Sequence, residues 1–194
     1  MSLIVAMKKD GVVYMGADTR TTRGERINSS LGEKNLKIQR VGSCYIGGAG
    51  TVACIQLLTD QAEWFQLNGK ALTKKYLVQE VIPRFFLLLK KTGKMKTDEN
   101  KKNPPNSGCY FLVTDGNALF MMDSDFSVTE LSVYGEVGCT EILARTLFLN
   151  APEDASPREL ILEALRMSVY RNDGVGAPFV IVNTKENSYE FVEG

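Results

Sequence analysis

Met1-Ser2-Leu3-Ile4-Val5-Ala6-Met7 opens the chain, and Lys9-Asp10-Gly11-Val12-Val13-Tyr14-Met15-Gly16-Ala17-Asp18-Thr19-Arg20 follows almost directly. Leu3 to Met7 and Val12 to Ala17 are apolar runs of strand length, and Lys9-Asp10-Gly11 between them reads as a tight turn. Directly before the first run stands Ser2, placed behind the initiator methionine. Serine is small, so removal of Met1 would expose a residue carrying both a hydroxyl nucleophile and a free α-amine.

That pairing gains weight from a gap in the composition: the chain has no histidine. A Ser-His-Asp triad, a Cys-His pair and a histidine-ligated metal site are therefore excluded. Any acyl-transfer chemistry must use an amine as its base. An α-amine is about two to three pH units less basic than a lysine ε-amine, so at neutral pH it is the better proton acceptor.

At 194 residues with a hydrophobic fraction of 44%, the chain is long and apolar enough for a full core, and residues 1–194 read as a single domain. Lys plus Arg (23) balances Asp plus Glu (23). No net basic field exists to draw nucleic acid or an anionic membrane. Net neutrality gives a weak tendency toward self-association. Cys44, Cys54, Cys109 and Cys139 lack CxxC spacing and no signal peptide precedes them, so they read as reduced thiols of a cytoplasmic protein. Ile82 to Leu89 is apolar but short and interrupted by Arg84, too short for a membrane span.

Outward from the first hairpin, Leu36 to Val41 and Cys44 to Ile46 read as a strand pair about Gly42-Ser43. After Gly47-Gly48-Ala49-Gly50 the period changes. Val52, Ile55, Leu58, Ala62 and Phe65 recur at helical spacing, and a second helix is expected over about Leu72 to Lys91, kinked or restarted at Pro83. The Lys-, Asn- and Pro-rich residues 90–106 read as an exposed loop. Strands are expected at Cys109 to Thr114, Ala118 to Met122 and Val128 to Val133, then helices from about Cys139 to Leu149 and from Ser156 to about Asn172. Ser156, Pro157 and Glu159 suggest a capping box at the start of that last helix. Phe179 to Val182 and Tyr189 to Val192 close as a hairpin. Strands, two helices, strands, two helices, strands is an α+β order. It is satisfied by a four-layer αββα sandwich: two antiparallel sheets face to face, with helix pairs on the outer faces.

In these features the chain resembles β-type subunits of the proteasome family, within the N-terminal nucleophile hydrolases. The resemblance rests on Ser2-Leu3-Ile4-Val5-Ala6, Lys9-Asp10-Gly11-Val12-Val13, Gly16-Ala17-Asp18-Thr19-Arg20, Lys34 and Gly47-Gly48-Ala49-Gly50, and it runs over nearly the whole chain. It implies that Ser2 is the nucleophile, where the family usually has threonine, and that its α-amine is base or proton relay. It implies that Lys34 lies beside the Ser2 hydroxyl, paired with Asp18, and that the Gly50 N–H donates to the oxyanion. Gly138-Cys139-Thr140 resembles a supporting Gly-Ser-Gly, with Cys139 in place of the serine. Asp173-Gly174-Val175-Gly176 resembles an Asp-x-x-Ser-Gly segment, with Asn172 or Asp173 at the aspartate position and Asp173 preferred. With no histidine to activate it, Cys139 reads as a small buried packing residue.

By the same analogy a specificity pocket would be lined by Thr21, Gly32, Leu36, Gly48, Val52 and Gln56 and would suit a large uncharged side chain. The resemblance implies a peptidase that acts through an acyl-enzyme ester on peptide or unfolded-protein substrates, with no cofactor and no metal. It also implies a homo-oligomeric ring that an ATPase unfoldase would serve as partner. A non-catalytic ring subunit, and an amidase or transpeptidase using the same acyl-enzyme, are the alternatives.

Overall fold

A computed structural model of the protein describes residues 2–23, 26–28, 36–97 and 104–194. Strand β1 (Leu3–Lys9) pairs antiparallel with β2 (Val12–Asp18) across a turn in which Asp10 and Gly11 both take positive φ. A small hairpin, β3 (Thr21–Arg23) and β4 (Arg26–Asn28), follows, then β5 (Ile38–Val41) and β6 (Cys44–Gly50). Helices α1 (Val52–Thr59), α2 (Lys74–Tyr76) and α3 (Ile82–Lys91) come next. Strands β7 (Cys109–Thr114), β8 (Leu119–Met122), β9 (Val128–Leu131) and β10 (Tyr134–Gly138) lead into α4 (Glu141–Leu149) and α5 (Pro157–Val169). Strands β11 (Phe179–Asn183) and β12 (Ser188–Val192) complete the chain.

Two five-stranded antiparallel sheets result, ordered β10-β1-β2-β11-β12 and β5-β6-β7-β8-β9. Strand periodicity builds the layers from the sequence. In β1, Ile4 and Ala6 turn into the core between the sheets, where Met15, Ile38, Leu112 and Val180 meet them. Leu3, Val5 and Met7 turn the other way, onto α4 and α5 through Phe148, Ile161 and Leu165. The outer face of the second sheet carries Ile46, Phe111 and Phe120 against Leu58, Leu77, Phe85 and Leu89 of the first helical layer. Strands β1, β2, β6 and β11 read as near-continuous buried runs because both of their faces are covered, whereas the edge strands β9 and β12 are largely exposed. Gly16 is the place where α5 comes closest to the sheet: a Cβ there would lie 2.1 Å from Ile161 Cγ2. The expected four-layer αββα sandwich is the observed fold.

Four local expectations need correction. The helical spacing after Gly50 does not run through to Phe65 as one helix. α1 stops at Thr59, and Ala62–Phe65 form a separate 3₁₀ turn. The break lets the Phe65 carbonyl accept from the Ser43 N–H in the β5–β6 turn. The restart expected at Pro83 is made by a π-turn, Leu77–Val81, which hands over to α3 with Pro83 in its first turn. The wider turn accommodates a residue that lacks an N–H and whose ring crowds the preceding turn.

The capping box at Ser156 does not form. Ser156 is the N-cap by position but its side chain accepts no cap hydrogen bond, and Glu159 instead pairs with the Arg158 guanidinium. Finally, Tyr134–Gly138 is a strand that the glycine-containing pattern concealed. Gly135 leaves room for Leu131, and buried Glu136 is compensated by Arg145 at 2.5 Å. No helix among the described residues is long and apolar enough to cross a membrane.

Candidate active site

Strand β10 lies beside β1, with Leu3 opposite Gly138, so the turn into α4 sits directly over Ser2. The Cys139 N–H donates to the Ser2 carbonyl at 2.9 Å. Gly138 has φ +126°, and a Cβ there would stand 2.0 Å from that carbonyl oxygen. This approach needs glycine. Gly138→Ala is expected to push the Ser2 peptide off β10, with loss of any Ser2 reactivity and a fall of several degrees in the thermal midpoint. Gly93→Ala, at φ +67° with nothing within 4 Å of the added carbon, provides the control for backbone strain alone.

Asp18 ends β2, next to the start of β1. Its carboxylate accepts four hydrogen bonds. Leu3 N–H (3.0 Å) and Lys37 Nζ (2.7 Å) donate to Oδ1; Arg20 N–H (3.2 Å) and Gly176 N–H (3.4 Å) donate to Oδ2. The side chain of Asp18 is fully buried and that of Lys37 nearly so, at 0% and 7% exposure. Burial pushes the Asp18 carboxyl above its ordinary value, opposed by the Lys37 charge and by the donated hydrogen bonds. Burial likewise pushes the Lys37 ammonium down. Asp18 opposes that shift and so does Cys139, whereas the Arg20 guanidinium reinforces it.

The cation that meets Asp18 is therefore Lys37. Lys34, expected in that place, lies outside the described residues, as does Gly32. The usable signal was strand parity. In Leu36-Lys37-Ile38, both leucine and isoleucine turn into the inter-sheet core, and Lys37 is the polar residue between them at the mouth of β5. The Lys37 carbonyl accepts from the Gly48 N–H at 3.1 Å, which sets the lysine beside the glycine-rich strand.

Gly50 ends β6 opposite Cys109, at φ +125°. The next residue's N–H, that of Thr51, donates to the Gly108 carbonyl just before β7. Antiparallel strands alternate the side on which N–H groups point, so the N–H groups of Gly48 and Gly50 both face away from β7, and that of Gly48 meets the Lys37 carbonyl. The site thus gathers a hydroxyl residue, a buried carboxylate–ammonium pair and a backbone donor at the mouth of one sandwich.

The remaining expected residues divide. Asp173 is exposed and is engaged through its carbonyl, which accepts from Arg20 Nη1 at 2.9 Å; the Asn172 side chain accepts from the Gly174 N–H within the turn. Cys139 is exposed, not a buried packing residue, because the turn into α4 lies on the open rim over Ser2. Gly48 faces α1, where a Cβ would lie 2.9 Å from Ile55 Cγ2. Val52 and Gln56, one helical turn apart on α1, are exposed, and Thr21 on β3 is half-buried. Leu36 does not join them. It shares the parity of Ile38 and is buried between the sheets.

A model of the family described as Proteasome subunit matches residues 2–177. No curated protein matches the chain. Among solved structures, BPH of Thiobacillus denitrificans superposes with a TM-score of 0.72 at 20% identity, over 93% of this chain and 96% of that one. The same protein in complex with epoxomicin gives 0.71 at 18% identity, over 99% and 100%. The Anbu complex of Pseudomonas aeruginosa, solved as a helical assembly, gives 0.67 at 14% identity, over 93% of this chain and 80% of that one. With the family match spanning most of its length, the chain belongs to the proteasome subunit family.

Proposed function

We propose that this protein is an N-terminal-serine peptidase of the proteasome type. The observation that carries the reading is the Asp18 carboxylate, which holds the Leu3 N–H and the Lys37 ammonium on one oxygen and so fixes a buried cation against the peptide that bears Ser2. After removal of Met1, Ser2 Oγ attacks the peptide carbonyl and its proton passes to a neighbouring amine, that of Ser2 itself or of Lys37. The Gly50 N–H receives the developing oxyanion. Collapse of the tetrahedral intermediate breaks the C–N bond, the departing amine takes the proton, and an ester to Ser2 remains. Water, deprotonated by the same amine, hydrolyses that ester. The exposed Val52 and Gln56 on α1, with Thr21 and Gly48, would receive the side chain before the scissile bond.

Two neighbours support this reading. One was solved with epoxomicin, and another forms a helical assembly, which favours an oligomer of this chain with its sites enclosed. Free cysteines at all four positions agree with a cytoplasmic setting.

Peptidyl epoxyketones test the chemistry, because forming their cyclic adduct takes a hydroxyl and a free α-amine on one residue. The native protein is expected to have lost Met1 and to gain the mass of one inhibitor per chain. Ser2→Ala should take up none. A fully trimmed wild-type chain that resists both an epoxyketone and a β-lactone would overturn the proposal.

A further inference from the structure

Beyond β2 the chain makes a second attachment to the segment between α5 and β11. Arg20 Nη1 donates to the Asp173 carbonyl, and the guanidinium lies flat across Gly176, where a Cβ would fall 2.3 Å from both Cζ and Nε. The Arg20 N–H and the Gly176 N–H converge on the same carboxylate oxygen, Asp18 Oδ2. Thr19 adds two more ties, from its N–H to the Gly176 carbonyl (3.3 Å) and from its hydroxyl to the Pro178 carbonyl (2.7 Å). Asp18, Arg20 and Gly176 therefore close a ring of contacts, and Gly176 is a glycine because the arginine occupies the place of a side chain.

We propose that Arg20 is a positioning residue of this site, clamping the 173–176 segment against Asp18 and stationing a permanent positive charge beside the Asp18–Lys37 pair. The inference rests on the peptidase reading for its kinetic consequence but not for its structural one. The titratable and charged groups beside Lys37 are Asp18 at the end of β2, Arg20 beyond it and Cys139 on the turn into α4, and removal of Met1 would add the Ser2 amine just before β1. Of these, Arg20 is the one whose charge is permanent and of the same sign as the lysine. A fixed cation disfavours the protonated form of any amine beside it, whether Lys37 or the terminus. The amine that must accept the Ser2 proton is thereby free at lower pH. The guanidinium is suited to both tasks, since its planar fork reaches Asp173 while its face covers Gly176.

The test uses the full chain with Arg20→Met, Arg20→Lys and Gly176→Ala. In Arg20→Met, the rise of kcat/KM with pH is expected to move upward by about one unit, because the amine keeps its proton longer. In Arg20→Lys it stays in place while kcat falls. Amide exchange at Gly174, Val175 and Gly176 should speed up about tenfold or more in all three variants as the clamp opens. Gly176→Ala combined with Arg20→Met should cost little more than either alone, since each removes the guanidinium from the same place over residue 176. An equal loss at every pH in Arg20→Met, with exchange at 174–176 unchanged, would overturn the proposal. Failure of the wild type to hydrolyse peptide would sink the peptidase reading, and the exchange data would still decide the clamp.

Discussion

Lys37→Met is expected to lower peptide hydrolysis and Ser2 labelling by about a thousandfold, within the range ascribed to a positioned acid–base group. Lys34→Met is expected to lose no more than about tenfold, because Lys37 already supplies the ammonium that Asp18 holds. The two lysines stand three residues apart, and the family resemblance implies the first. The structure pairs the second with Asp18 at 2.7 Å. Removing the ammonium leaves Asp18 with three backbone donors and no counter-charge at 0% exposure. Breaking such a buried pair costs about 3–5 kcal/mol unless the carboxyl takes up a proton. Lys37→Met alone is thus ambiguous, since a destabilised protein is also a poor enzyme.

The double variant Asp18→Asn/Lys37→Met resolves the ambiguity. Asparagine keeps acceptor capacity for the Leu3 N–H and needs no cation. The thermal midpoint should recover most of the loss, because two mutually compensating charges have been removed together. Activity should not recover, because no amine remains beside the hydroxyl other than the terminus. Recovery of both would show that Lys37 only balances Asp18 and that the terminal amine works alone.

These expectations show which parts of the molecule its sequence made legible. The sandwich was legible because strand and helix periods alternate in blocks, and the runs Leu3 to Met7 and Val12 to Ala17 became β1 and β2 with one or two residues added at their ends. Strand β10 was not. Its Tyr134, Glu136 and two glycines carry little apolar alternation, and its burial of Glu136 depends on Arg145 arriving from α4. Asp18 and Gly50 were legible because each sits at a fixed offset within or at the end of a strand. The lysine was not, because the groups that fix it, the Asp18 carboxylate and the Gly48 N–H, stand well apart from it along the chain. Arg20 stands in the Gly-Ala-Asp-Thr-Arg stretch, but its task is not legible there because its partners Asp173 and Gly176 lie more than 150 residues away along the chain.

Gly50→Ala should lower activity by about 10²–10³, with far less effect on folding than its position suggests. At φ +125° an alanine is strained wherever it occurs, and here its Cβ would also lie 2.4 Å from the Gly108 oxygen and 2.9 Å from Cys109 Cα. Both are backbone atoms of the neighbouring strand, so β7 cannot give way as a flexible side chain would. The relief available is rotation of the Gly50 peptide, which re-aims its N–H. Loss of one oxyanion donor costs about 10²–10³ in rate. Gly11→Ala supplies the comparison: it stands at φ +73° in the β1–β2 turn with nothing within 4 Å of the added carbon. Each variant should lose about 1–3 kcal/mol of stability from the positive φ, Gly50→Ala the more. Only Gly50→Ala should lose turnover, and it should do so while a β-lactone still acylates Ser2 slowly, because hydroxyl and amines remain. Full turnover in Gly50→Ala would remove the backbone donor from the mechanism and leave charge alone to stabilise the oxyanion.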